Sequence, residues 1–370
     1  MSELRDLAIS LLADSLRIYS PSRKEGSLSR FLMEKMSNEL GYRSVRVDGA
    51  NNVIGEVGAG KPVLLLCGHM DTVPGVQPVR VKKDLVYGRG VVDAKSSLIA
   101  MIVAASSLKK ANVGRTILAA VTDEEGSGSG IKELIRGGIS ADYAIFGEPS
   151  GVHSITVGYK GRMSIKVTCQ TSPVHASAPW MSQNAIEKGF EVWSAIKTHL
   201  GKLSNGANRY TSLTACLTRI RAGTAENIMP GTCQFTIDVR YPSRFTSQDV
   251  SREVHAAANS LQENPDFPKT SIEIGDSTPP FEASKSSTVS RALARAIIKT
   301  RKVKPIYLHK TGTGDMNILG AALNIPVVTY GPGNPHLSHT SKECIEVEEY
   351  LSSINIYIQT IKNLKTMLKE

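Results

Sequence analysis

The chain has 370 residues, 41% of them hydrophobic and 21% charged, with 44 basic and 34 acidic residues giving a formal net charge of +10. That length exceeds what one hydrophobic core fills, so two domains are expected, and the composition is that of a folded globular protein, not a disordered one. The positive balance raises nucleic acid as a partner, but aromatics are only 5% and no Lys/Arg block is interleaved with them, which argues against it.

The chain opens on an amphipathic helix pattern, with Leu4, Leu7, Leu11 and Leu12 on one face and Asp6 and Arg17 interrupting any apolar run. This is not a secretory signal, and no later stretch reaches bilayer length, so no membrane is implied. The helix gives way at Ser20-Pro21-Ser22, and a second helix follows with Leu28, Phe31, Leu32 and Leu40 and a Gly41 cap. Strands are predicted at 44–48, 52–57, 63–67, 116–121 and 143–147, with an apolar helix from Ser96 to Lys110 between the third and fourth. Such alternation predicts an α/β fold with a doubly wound, mostly parallel sheet.

The pattern changes after Lys160-Gly161. Residues 162–276 read β-α-β-β-α-β: Met163–Cys169, Asn184–Leu200, Thr211–Arg221, Thr232–Arg240, Ser247–Leu261 and Thr270–Ile274. That order is the ferredoxin-like α+β motif, expected here as an inserted lid and dimerisation domain. Helix and strand patterns then resume, with a helix at 286–300, strands near 303–308 and 325–330, and a closing amphipathic helix near 347–368. The catalytic domain is therefore expected from 1–161 and 277–370 together. The basic run Lys299 to Lys304 falls at a helix end and reads as a solvated surface. The five cysteines, odd in number and scattered, read as free thiols in a reducing compartment, so the expected location is cytoplasmic.

Acidic residues and histidines stand just past several apolar runs. Val63–Gly68 leads to His69-Met70-Asp71, Gly90-Val91-Val92 to Asp93, Val121-Thr122 to Asp123-Glu124-Glu125, and Ile145-Phe146-Gly147 to Glu148, while Gly331-Pro332-Gly333 leads to His339. Open α/β sheets build their sites on this rim. Each residue has a plainer reading: His69 as a core histidine, Asp93 as a helix N-cap, Glu124-Glu125 as a solvated turn. His-x-Asp at a strand end also lets a carboxylate orient a metal-binding imidazole. Together the five positions point to divalent metals and hydrolysis.

The chain here resembles a known family. The motifs G-H-M-D-T-V-P-G (68–75), Y-G-R-G-V-V-D-A-K (87–95), T-D-E-E-G-S-G-S-G (122–130) and G-E-P-S (147–150) match the dinuclear zinc metallohydrolases that include acetylornithine deacetylase, succinyl-diaminopimelate desuccinylase and glutamate carboxypeptidases. H-A-S-A-P (175–179) and N-I-M-P-G (227–231) extend the match through the insert. The resemblance implies that Asp93 bridges two metals, Zn2+ foremost and Co2+ as an alternative. It gives His69 and Glu148 to one metal and Glu125 and His339 to the other, with His336 the rival to His339. It makes Asp71 the orienter of His69, Glu124 the general base, and His175 a donor reaching the site of a second subunit, hence a homodimer. It also implies a cis Asp93–Ala94 peptide and substrate contacts from Asn227, Arg240, Thr311 and Gly312.

The stretch Lys310-Thr311-Gly312-Thr313-Gly314-Asp315-Met316-Asn317 is similar to one subgroup, which releases lysine or ornithine from the glutamate side chain of the amino-group carrier protein LysW. Charge supports an acidic protein partner independently. Residues 162–276 hold 12 basic and 10 acidic residues, so most of the +10 lies on the catalytic domain, where it would steer such a partner. Two other readings stay open: a deacylase or carboxypeptidase acting on small N-acylated substrates, and a relative that has lost catalysis and only binds. The second conflicts with all seven metal and acid–base positions being filled.

Overall fold

The computed structural model describes residues 2–204 and 208–368. The chain divides into two compact units. One comprises the residues up to Val157, Ala283–His309 and everything from Gly314 onward; the other comprises Gly158–Glu282 with Lys310–Thr313. The second unit is thus wider than the predicted 162–276 insert, and it takes in four residues of the Lys310–Asn317 stretch.

In the first unit the strands run in the order Arg43–Val47, Val53–Gly58, Arg115–Val121, Val63–His69, Tyr143–Gly147, Val327–Thr329, then the strand that begins at Ser154. The middle four are parallel, and antiparallel pairs flank them. The parallel strands read as unbroken apolar runs because both faces are covered. Leu64, Leu66, Leu118, Ala120, Ile145 and Val328 pack into one core with the helix Lys95–Ser107 and the closing helix Val347–Met367. The alternate residues Leu65, Cys67, Ile117, Ala119, Ala144 and Phe146 are equally buried. The helices Ser129–Arg136 and Asp315–Leu323 pack against Arg115–Val121 and Val327–Thr329. The helix Lys95–Ser107 has almost no polar face because nearly every residue in it is buried.

Register then aligns the strand ends. Gly68 stands beside Ala120 and Gly147, and His69 beside Val121, so the chain leaves three parallel strands at one level. The residues that follow each strand therefore converge, although tens of positions separate them in sequence.

The second unit holds a four-stranded antiparallel sheet in the order Thr214–Ala222, Thr232–Tyr241, Gly161–Gln170, Thr270–Thr278. The helices Ala185–Lys202 and Ser247–Gln262 share a core with it through Val192, Ile196, Val250, Val254, Phe235 and Ile237. The central strands alternate buried and half-buried positions, as expected of a sheet covered on one face. Among the described residues no helix is long and apolar enough to cross a membrane.

Candidate metal centre

His69 is the last residue of its strand and is fully buried. Its Nδ1 lies 3.0 Å from the backbone oxygen of Asp71 and 3.4 Å from Asp71 Oδ1. That leaves Nε2 facing Asp93 Oδ1 at 3.3 Å and Glu148 Oε1 at 3.5 Å, and this buried nitrogen has no hydrogen-bond partner. Asp93 does not cap the following helix, whose N-cap position is Ala94, and the Asp93–Ala94 peptide is cis. The second oxygen of Asp93 lies 3.2 Å from His339 Nε2, which in turn lies 2.7 Å from Glu125 Oε1.

Two donor groups result, His69–Asp93–Glu148 and Asp93–Glu125–His339, with the ligand atoms within 4.8 Å of one another in each. Asp93 belongs to both. His336, in the short helix Pro335–Leu337, belongs to neither.

Asp71 binds more than His69. Its Oδ1 accepts the Glu124 N–H at 3.1 Å, and its Oδ2 accepts the Glu125 N–H at 3.0 Å and the Ser22 hydroxyl at 2.7 Å. One residue thereby fixes the imidazole, through its backbone oxygen, and the two glutamates, through its carboxylate. The loop bearing those glutamates turns at Asp123, a left-handed residue at φ 59, whose N–H donates to Glu25 Oε1 at 2.9 Å. Glu343, fully buried, accepts the N–H of Gly90 at 2.6 Å and of His339 at 3.1 Å, and Arg89 pairs with it at 2.7 Å. It ties the His339 segment to the turn that carries Asp93.

The electrostatics favour cations. Asp71, Asp93, Glu124, Glu125 and Glu148 crowd around two imidazoles, and buried charge of one sign needs compensation. Burial pushes the Glu124 carboxyl up to about 7, with Glu125 and Asp93 adding to the shift and His69 opposing it. Burial also works against the Asp93 anion, yet His339 and His69 hold its carboxyl well below the usual range. A buried imidazole nitrogen lacking any partner, ringed by carboxylate oxygens, is the donor chemistry of a divalent metal site.

Other predicted residues gather in the second unit. His175 is exposed, and its Nδ1 bonds the Ser177 hydroxyl at 2.8 Å. Asn227 lies beside it, accepting the Ala176 N–H at 2.9 Å. Arg240 pairs with Asp238 at 2.5 Å and donates to the Thr313 hydroxyl at 3.2 Å, so the stretch containing Thr311 and Gly312 lies close to it. Glu25 and Glu343 were not singled out from the sequence, and Ser22 and Asp315 entered only within longer stretches, at a helix break and in Lys310–Asn317. None of the four follows directly on a predicted apolar strand.

The fold and these donor groups together define the class, an α/β protein with two adjoining donor groups suited to divalent metal. A family model described as peptidase family M20/M25/M40 matches residues 65–363, and the chain belongs to that family. It is similar to the LysW-lysine/LysW-ornithine hydrolase of Saccharolobus solfataricus, 32% identical over 361 residues that cover 98% of this chain and 97% of the relative. Among solved structures, aminopeptidase PepT of Bacillus cereus superposes with a TM-score of 0.83 at 21% identity, covering 97% of this chain and 98% of that one. A dinuclear metal binding peptidase of the M20 family from Bacillus subtilis gives 0.72 at 14%, covering 100% and 99%.

Proposed function

We propose that the chain is a dinuclear metal-dependent amidohydrolase releasing lysine, ornithine or both from the glutamate side chain of the carrier protein LysW. The observation that carries the reaction is the position of Asp93 in both donor groups. The substrate rests on the similarity, across nearly the whole chain, to a LysW-lysine/LysW-ornithine hydrolase.

In this reading His69 and Glu148 hold one ion, Glu125 and His339 the other, and Asp93 both. Zn2+ is the proposed occupant and Co2+ the alternative, because carboxylate and imidazole donors suit either. When bound, such a pair supplies Lewis acidity toward a carbonyl and water. Glu124 takes the proton of the attacking water and returns it to the departing amine. Asp71 keeps His69 in the orientation that leaves Nε2 free for metal, and it holds the Glu124 and Glu125 backbone. His175 serves the site of a neighbouring copy as an oxyanion donor, so the working unit is a homodimer. Asn227, Arg240, Thr311 and Gly312 bind polar groups of the substrate.

The basic balance outside 162–276 supports an acidic protein partner over nucleic acid. The corresponding setting is cytoplasmic lysine and arginine biosynthesis. The test is direct: the purified enzyme is incubated separately with carrier-linked lysine, carrier-linked ornithine and N-acetylornithine, and the freed amino acid is measured. Release from at least one carrier-linked substrate is expected, and turnover of N-acetylornithine alone would contradict the reading.

A further inference from the structure

Asp315 opens the helix Asp315–Leu323. An acidic residue in a helical first turn is ordinary when it faces water, where it complements the helix dipole. This one is only 2% exposed, and its Oδ2 has no hydrogen-bond partner. A buried carboxyl oxygen without a partner costs stability, so folding alone gives no reason for it.

Its surroundings supply a reason. The Asn317 side chain accepts the Gly314 N–H at 3.1 Å and fixes the start of the helix. The Asp315 N–H, which has no acceptor within its own helix, points to Glu124 Oε1 at 3.4 Å. Gly314 lies so close that a Cβ on it would stand 2.9 Å from the same oxygen. On the other side, a Cβ on Gly128 would meet Asp315 Oδ1 at 3.0 Å, so this carboxyl lies against the loop that carries Glu124.

We propose that Asp315 is a positioning residue for Glu124, holding the glutamate carboxylate through the N–H at the helix start and bracing its loop with the buried carboxyl. The proposal rests on the reading of Glu124 as general base. Burial, and then the charge of Glu124, push the Asp315 carboxyl well above its usual range. Asp315 acts through Glu124, not on the substrate.

The test compares wild-type enzyme with Asp315→Asn, Asp315→Ala, Gly314→Ala, Glu124→Gln and the double variant Asp315→Ala/Glu124→Gln. Steady-state kinetics, metal content and thermal midpoint are measured for each. Asp315→Ala should lower kcat roughly 10- to 100-fold, the scale of a small misplacement, with KM and metal content within about twofold of wild type. Asp315→Asn, of the same shape, should restore kcat to within about threefold, and Asp315→Ala should add little in the Glu124→Gln background. Gly314→Ala should lower kcat without loss of metal, which keeps the test available if Asp315→Ala does not fold. Multiplying losses in the double variant, metal lost in step with activity, no rescue by Asn, or an unchanged Gly314→Ala would each overturn the proposal. Full activity in Glu124→Gln would overturn the base assignment and this proposal with it. Unchanged kcat in Asp315→Ala beside an inactive Glu124→Gln would overturn this proposal alone.

Discussion

Asp71 Oδ1 accepts the backbone N–H of Glu124 at 3.1 Å, while the backbone oxygen of the same aspartate lies 3.0 Å from His69 Nδ1. A residue that binds no metal in the proposed scheme thus joins a proposed ligand to the proposed base. Its other oxygen serves Glu125 and Ser22, so an amide in its place would lose at least one acceptor. Asp71→Asn is therefore expected to lower activity or metal affinity roughly 10- to 100-fold, the usual effect of losing a partner behind a metal ligand. Isothermal titration of stripped protein with Zn2+, followed by kinetics, measures both. Unchanged values in the variant would mean that these bonds are dispensable.

Base and ligands should separate by mutation. Glu124→Ala should keep metal content near wild type and lower kcat by about 10²-fold or more. His69→Ala and Asp93→Ala should lose metal as well as activity, Asp93→Ala at both positions. Elemental analysis after gentle dialysis reads this directly. Metal lost in Glu124→Ala but retained in Glu125→Ala would show the two roles to be exchanged.

Strand ends were the legible part of the site. His69, Glu124, Glu125 and Glu148 follow apolar runs whose period and length announce buried parallel strands, and parallel register brings such ends together. The supporting residues were not legible because their partners are distant in sequence and their own segments are irregular. Ser22 and Glu25 belong to the connection between two helices, yet they meet Asp71 and Asp123. The three-stranded sheet of Arg80–Val81, Leu85–Tyr87 and Cys344–Glu346 was likewise invisible, since two- and three-residue strands carry no period. The strand predicted near 303–308 begins instead at Ile306, just after Pro305.

Glu343 joins the His339 segment to Gly90, three residues before Asp93. Glu343→Ala should leave a half-buried Arg89 without its carboxylate and let the two segments separate. The expected outcome is weaker binding of one metal equivalent, with Glu343→Gln intermediate. Equal, tight binding of both equivalents in Glu343→Ala would remove that role.

His175 is tested by complementation. Mixing inactive His175→Ala with inactive Glu124→Ala subunits should restore part of the activity, because a hybrid dimer contains one site with both groups intact. No recovery after demonstrated subunit exchange would count against donation from a neighbouring copy.

The central claim is that the substrate is an amino acid carried by an acidic protein and met by a basic enzyme. Exposed charges are screened beyond a Debye length of about 8–10 Å near physiological salt, so an encounter steered by charge weakens as salt rises. The decisive measurement is kcat/KM against ionic strength for carrier-linked lysine or ornithine and for N-acetylornithine, run in parallel on one preparation. The account predicts that the carrier-linked substrate is the faster at low salt and falls steeply with salt at nearly constant kcat, while the small substrate changes little. Equal salt dependence, or faster turnover of N-acetylornithine throughout, would contradict it.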